Sequence, residues 1–358
     1  SGLNSRFFMN MSPEYMAELH KFLYLSDDSD IERLKAVVST HLKYIPHKTL
    51  YRYRKCNDRE LQILGENAIW LSDPAKFPDM FDATIPMSDR KYIDFEYPFY
   101  FAFETAYKAL VDTAEEGEVI PDKSRLLESM YETMAKYSRE EINERLINLF
   151  GQEEYKKMRS CRPPDIDFSY QIQWVKKFLD HLSASPRSSL TIASFTTTYD
   201  NRNMWENYSE NYTGFCVEYS FSALPPSSKS AWDVLHLLPV KYFRKRPLFD
   251  YTPILQSIVQ ADMRLADFDI DIDPFLAQYY RSVTAKLYDY RAEQEWRLIM
   301  KRAHLGKYCF PYANRVFLGK DMAEGRIQQM RLIADKLKIP AFIQTMSSDG
   351  NTFEYQQF

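Results

Sequence analysis

Glycine is scarce in this chain, 9 residues in 358. Neither a G-x-G-x-x-G run nor a G-x-x-x-x-G-K-[ST] loop occurs, which excludes the two commonest glycine-dependent ways of cradling nucleotide phosphates at a helix N-terminus. Cysteine is sparse too. Cys56, Cys161, Cys216 and Cys309 stand far apart, with no C-x-x-C pair and no histidine at ligand spacing. A disulfide framework and a structural metal are therefore not expected, and the thiols are expected to be reduced in a cytoplasmic protein. No stretch approaches the roughly 20 apolar residues that span a bilayer, and no basic region followed by an apolar one opens the chain, so no membrane partner is expected. Excess charge of one sign is also missing: 46 Lys and Arg face 50 Asp and Glu, a formal net charge of −4. No global field points to a polyanion, and a nucleic acid would have to use a local patch. What the chain has in abundance is aromatic rings, 26 Tyr and 24 Phe.

The periodicity of apolar residues orders the chain as α, then β-rich pieces separated by helical segments, which is α+β. Residues 12–45 read as two helices, the second placing Ile31, Leu34, Val37, Val38, Leu42 and Ile45 on one face. At "KTLYRYRKC" the period changes to two, and a helix "DRELQILGEN" and a strand "AIWLSDP" follow. "PDMFDATIP" is a Pro/Asp-rich loop. Helical patterns fill residues 98–182 and 253–288, and strands are expected at "SSLTIASFTTTYD", "GFCVEYSF", "LLPVKYF", "EWRLIMK", "NRVFLG", "PAFIQTMS" and "FEYQQF". With no internal repeat and no long linker, residues 1–48 form a helical lead-in. Residues 49–358 form one domain with helical insertions at about 98–182 and 253–288.

Four stretches carry polar residues that a core does not require. In "LYRYR", Arg52 and Arg54 share one strand face and Tyr51 and Tyr53 the other; two cations on one face are either solvated or turned to an anion. In "ASFTTT", Ser194, Thr196 and Thr198 form a hydroxyl row, which β-propensity alone also explains. In "MWENYSENYTGFCVEY", Trp205, Tyr208, Tyr212 and Phe215 surround Gly214, either as a packed core or as stacking surfaces for a planar ligand. In "EQEWRLI", Glu293 and Glu295 share a strand face. Like charges at that separation, partly buried, should raise the pKa of at least one, unless the pair is a solvated strand end.

An arginine in a first strand, Ser-x-Thr in a middle strand and E-x-E opening a later strand, in that chain order, resemble the R-S-E class of the ADP-ribosyltransferase superfamily. "LYRYR…ELQILGENAIWLS" looks like that superfamily's opening strand, helix and second strand. The middle motif here reads Ser-Phe-Thr where the superfamily pattern is Ser-Thr-Ser. From about Leu50 to Lys320, through "LYRYR", "WLSDPAKFPDMFD", "MWENYSENYTGFCVEY" and "EQEWRLI", the chain also resembles a bacterial and phage-associated family catalogued as a domain of unknown function.

The resemblance implies an ADP-ribosyltransferase-like split β-sheet core with large helical insertions, and NAD as the substrate that donates ADP-ribose. No metal is implied. The acceptor would be a protein or a nucleic acid, in a toxin or phage-defence setting. Glu295 would stabilise the oxocarbenium-like ribose and Glu293 would orient or deprotonate the nucleophile. Arg52 would hold the diphosphate, and Ser194 and Thr196 would brace Glu295 and the nicotinamide pocket. Tyr53 or an aromatic such as Trp205 or Tyr208 would stack on nicotinamide. On this reading a Glu295→Gln variant keeps its melting temperature or gains slightly, as like-charge repulsion is relieved. An NAD glycohydrolase, with water as acceptor, and a non-catalytic binding or sensor module on the same scaffold remain open alternatives.

Overall fold

The alternation in "TLYRYR" forms strand β1 (Thr49–Arg54). Asn57 then starts helix α1 (Asp58–Gly65) by accepting a hydrogen bond from the Glu60 amide at 3.0 Å, one of the orphan donors of the first turn. Strand β2 (Ala68–Leu71) follows. In this computed structural model, residues 31–87, 183–224, 227–249, 272–350 and 352–358 are described throughout, with scattered residues among 11–19 and 107–160 and at 180–181. Only scattered residues of the first expected lead-in helix are described, and most of the helical pattern over 98–182 lies outside the described residues.

Contacts divide the chain into two compact units where one domain was expected. The first comprises Ser1–Ile85, Ala184–Pro247 and Tyr279–Phe358; the second comprises Pro86–Ser183 and Leu248–Gln278. The second unit thus takes in most of the two segments read as insertions together with residues 86–97, 183 and 248–252, whereas residues 279–288 belong to the first. Within the second unit, the helix Gln152–Ser160 is described.

The first unit is mixed α+β, with four small sheets among the described residues. Its later strands are β3 (Leu190–Phe195), β4 (Phe215–Ser220), β5 (Leu237–Pro239), β6 (Lys241–Phe243), β7 (Ala285–Leu287), β8 (Trp296–Lys301), β9 (Gly306–Cys309), β10 (Ala313–Leu318), β11 (Ala341–Met346) and β12 (Phe353–Gln357). One sheet runs β1-β4-β10-β11-β12; the others are β3-β8-β5, β2-β9 and β6-β7. Parallel β10 and β11 are joined by the amphipathic helix α2 (Glu324–Leu337), as a parallel pair requires a crossover. Two short strands, β7 and β9, were not anticipated. Each has three or four residues, too few for a period, and each is held by a distant partner.

Two bridges link the sheets. Tyr51 and Thr196 exchange backbone hydrogen bonds at 2.8 and 2.7 Å, and Ser72 and Ile192 do so at 2.9 and 3.1 Å. They bring β1 and β2 alongside β3, and one apolar cluster including Leu50, Ile69, Ile192, Phe215, Leu298 and Leu318 fills the space around them. A smaller cluster of Tyr53, Met204, Trp205, Cys216 and Phe317 packs separately. Cys56, Cys216 and Cys309 are free thiols, and Cys161 lies outside the described residues.

After the helix α3 (Arg202–Tyr208) the backbone turns through three consecutive left-handed residues, Glu210 (φ 54°), Asn211 (φ 52°) and Tyr212 (φ 67°). Such conformations cost about 1 kcal/mol or more each outside glycine. The turn is clamped by chain crossings that only glycine permits. A Cβ on Gly319 would lie 2.0 Å from the Tyr212 carbonyl oxygen, and one on Gly214 would lie 2.2 Å from that of Arg54. Gly319→Ala is therefore expected to lower stability by about 2 kcal/mol or more. Gly325→Ala, in open space near the start of α2, should be neutral or stabilising. Urea titrations of the two variants check both signs.

Candidate functional site

Strand β1 forms the edge of the five-stranded sheet. Tyr51, Arg52, Tyr53 and Arg54 all border one cleft. Successive strand side chains point to opposite faces, so four consecutive residues can border one cavity only along a strand edge. The opposite wall comes from β3, α3 and the segment from β7 to β8. The cavity volume of the cleft is about 170 Å³, below the roughly 300–1,000 Å³ of sites that enclose a drug-sized ligand, so a larger ligand would extend beyond it into solvent.

Of the residues singled out in the sequence, Arg52, Tyr53, Ser194, Tyr208, Glu293 and Glu295 all border this cleft. Thr196 and Trp205 do not. Thr196 is buried behind the Tyr51 bridge, and among the described residues its hydroxyl has no partner. Trp205 is fully buried, edge-on to Tyr53 at 5.1 Å, and donates its indole N–H to the Tyr199 carbonyl at 2.8 Å. Neither ring face is left for a ligand, which removes Trp205 from the stacking role.

The E-x-E pair does not lie on a strand. Glu293 ends a 3₁₀ turn (Tyr288–Glu293), Gln294 is left-handed (φ 45°, ψ 48°), and Glu295 sits just before β8. Glu293 accepts from the Tyr208 hydroxyl at 2.7 Å on one oxygen and from Lys286 Nζ at 2.7 Å on the other. Glu295 accepts from Ser194 Oγ at 2.6 Å and from Arg297 Nε at 2.9 Å on one oxygen, while Lys286 Nζ lies 2.9 Å from the other. Its amide donates to the Tyr242 hydroxyl at 2.8 Å. Arg297, fully buried, also grips Asp82 at 2.8 and 2.9 Å and donates to the Val283 carbonyl at 2.7 Å.

These cations overturn the expected electrostatics. Burial pushes the Glu295 carboxyl up, but the charges of Arg297 and Lys286 outweigh it and hold the group at about 2. The same attraction holds Lys286 above its ordinary range, although burial opposes it, with Glu295 and Glu293 as the partners. Like-charge repulsion is thus compensated from within the site.

The arginines of β1 are not a solvated face either. Arg54 forms a two-pronged pair with Glu60 of α1. Arg52 is buried and donates to the Trp70 carbonyl at 2.9 Å, its guanidinium 5.7 Å from the Phe195 ring centroid. Burial, with a smaller contribution from Arg54, lowers it to about 10, still charged at neutral pH. Among the described residues no carboxylate pairs with it, an arrangement that is costly unless an anion arrives.

Lys286, Arg297, Asp82 and Tyr242 were not anticipated. Arg297 stands two residues after Glu295 and could have been read as its strand-face partner, but Lys286 fell in a stretch taken for helix. Asp82 belongs to the loop noted only for its turn residues. That loop is pinned by Arg187, which donates to the Asp79 and Asp82 carbonyls at 2.6 and 3.0 Å.

A family model described as a protein of unknown function (DUF2971) matches residues 204–298. The matched stretch contains Tyr208, Lys286, Glu293, Glu295 and Arg297, and leaves out Arg52 and Ser194. No curated protein and no solved structure matches the chain. Among the described residues, no group of His, Cys, Asp and Glu could hold a metal ion, and no helix is long and apolar enough to cross a membrane.

Because Glu295 is ionised in a web of cations, Glu295→Gln should lose stability, not gain it. The expected cost is about 2 kcal/mol at neutral pH, the scale of hydrogen bonds to a charged group. The folded-state pKa of about 2 lies below the ordinary 4.5, so the charge contributes fully above pH 4.5 and its contribution disappears as the pH falls through 2. Urea midpoints of wild type and variant should therefore differ most at neutral pH and converge in acid.

Proposed function

We propose that the chain is an NAD-dependent ADP-ribosyltransferase whose reaction takes place in the cleft between β1 and the β3–β8 sheet. One observation carries the reading: an arginine that is buried and has no anionic partner among the described residues, and a carboxylate ionised at neutral pH, line the same cleft from segments more than two hundred positions apart. NAD presents what such a pair would meet, a diphosphate for the Arg52 fork and an N-glycosidic ribose for Glu295. Departure of nicotinamide leaves positive charge on the ribose. An ionised carboxylate stabilises it more than it stabilises the ground state. Ser194 orients that carboxylate through its 2.6 Å hydrogen bond. Tyr53 and Tyr208 offer the aromatic walls of the cleft. The two sheets meeting along β1 and β3 are consistent with a split-sheet transferase core.

A different observation favours a second reading, a non-catalytic binding module on the same scaffold. Both carboxylates already have all their oxygens engaged by Ser194, Tyr208, Lys286 and Arg297. A ribose hydroxyl that approaches the second oxygen of Glu295 meets Lys286 at 2.9 Å and Arg297 Nη2 at 3.3 Å already there.

Incubation with labelled NAD⁺ and a cell lysate separates the readings. Label in protein or nucleic acid is the expected result, free ADP-ribose alone makes the chain a glycohydrolase, and unchanged NAD⁺ with no binding assigns it to the module. Glu295→Gln should bind NAD⁺ with little change while its turnover falls by about 10²–10³. Full turnover by that variant would move the charge-stabilising role elsewhere.

A further inference from the structure

Lys286 is the group in the cleft that the proposed reaction leaves without a role. It is buried on β7, opposite Tyr242 of β6 in register. Its ammonium sits 2.7 Å from Glu293, 2.9 Å from Glu295 and 4.0 Å from Asp82, with the Tyr290 ring centroid 5.0 Å away on its remaining side. Arg297 already serves Glu295 and Asp82 from the far side. For Glu293 the paired cation is Lys286.

An acceptor entering the cleft must approach Glu293, the carboxylate that lies beside Glu295 and is not gripped by Arg297. A guanidinium or ammonium side chain would find that carboxylate neutralised and a fixed positive charge within contact distance. Two cations at such a separation repel strongly in a partly buried site. Displacing Lys286 gives no relief, because the carboxylates nearest it are the ones the newcomer would occupy.

We infer that Lys286 is a specificity-determining residue: it stands in for the positive charge of an acceptor, so that the site transfers to uncharged oxygen or nitrogen nucleophiles and rejects cationic ones. This rests on the transferase reading above. In the step, the bond between ribose C1′ and the nicotinamide nitrogen breaks and its electron pair leaves with neutral nicotinamide. A lone pair on the neutral acceptor forms the new bond to C1′. The acceptor's proton passes to Glu293, whose oxygens each keep room for a second hydrogen bond. Lys286 then balances the incoming and outgoing charge without itself reacting, because its carboxylate neighbours keep it protonated.

The test uses the full chain, labelled NAD⁺, and equal concentrations of methanol and agmatine, a neutral hydroxyl and a guanidinium acceptor. Wild type is expected to form methyl-ADP-ribose and no agmatine adduct. Lys286→Met should raise the ratio of agmatine to methyl adduct by at least about tenfold, equivalent to about 1.4 kcal/mol. Lys286→Arg, which keeps the charge, should retain the wild-type ratio. A purely structural role for Lys286 would change total turnover and leave the ratio alone. An agmatine adduct from wild type at the level of the methyl adduct overturns the inference, as does an unchanged ratio in folded Lys286→Met. If Lys286→Met fails to fold, the wild-type ratio and that of Lys286→Arg decide. Failure of wild type to consume NAD⁺ at all removes the transferase reading and the inference together, whereas turnover with agmatine accepted removes the inference alone.

Discussion

Arg297 holds the cleft together. It is fully buried, and its three nitrogens bind Glu295 just before its own strand, Asp82 from a loop more than two hundred positions earlier, and the Val283 carbonyl at the end of the helix Ile272–Val283. A guanidinium in that environment is tolerable only with its planar fork saturated, and lysine could not span the same acceptors. Glu295 in turn orients Lys286, and Lys286 fixes Glu293. The geometry of the whole acidic wall therefore follows from one buried cation and its partners.

The β1 wall and the approach of α3 have a different origin. β1 is positioned by backbone pairing with β4 and by the two hydrogen bonds between Tyr51 and Thr196. Tyr208 reaches Glu293 from the end of α3, whose exit is fixed by the three left-handed residues and the crossing at Gly214 and Gly319. Backbone strain next to the cleft is tolerated where the surroundings over-determine it. Here the surroundings are chain crossings too close for any side chain.

Much of this arrangement was legible in the sequence, and the reasons for the rest are physical. Alternation in "TLYRYR" located β1, and the short, mostly apolar run "WRLIMK" located β8, which is buried on both faces. β7, at "AKL", has no such period: its pairing with β6 lies more than forty residues back, and with it went Lys286. The E-x-E carboxylates were singled out, but the pKa of Glu295 is lowered where like-charge repulsion was expected to raise one of the pair. Repulsion between them can be read along the chain; Arg297's hold on Asp82 cannot, since it joins segments remote in sequence, and Lys286 comes to lie across both carboxylates only through the pairing of β7 with the distant β6. Trp205 was over-read for the same reason, as a ring's exposure depends on what packs over it.

An edge strand normally offers its free hydrogen-bonding groups to any extended chain that arrives, and is a starting point for aggregation. β1 ends the five-stranded sheet, yet Tyr51 on its outer edge is already paired with Thr196, and the next three residues face the cleft. A foreign strand could lie along them only by pushing aside Tyr208 and the carboxylate–lysine wall. The cleft thus doubles as a guard on the sheet, leaving an edge that another strand cannot extend.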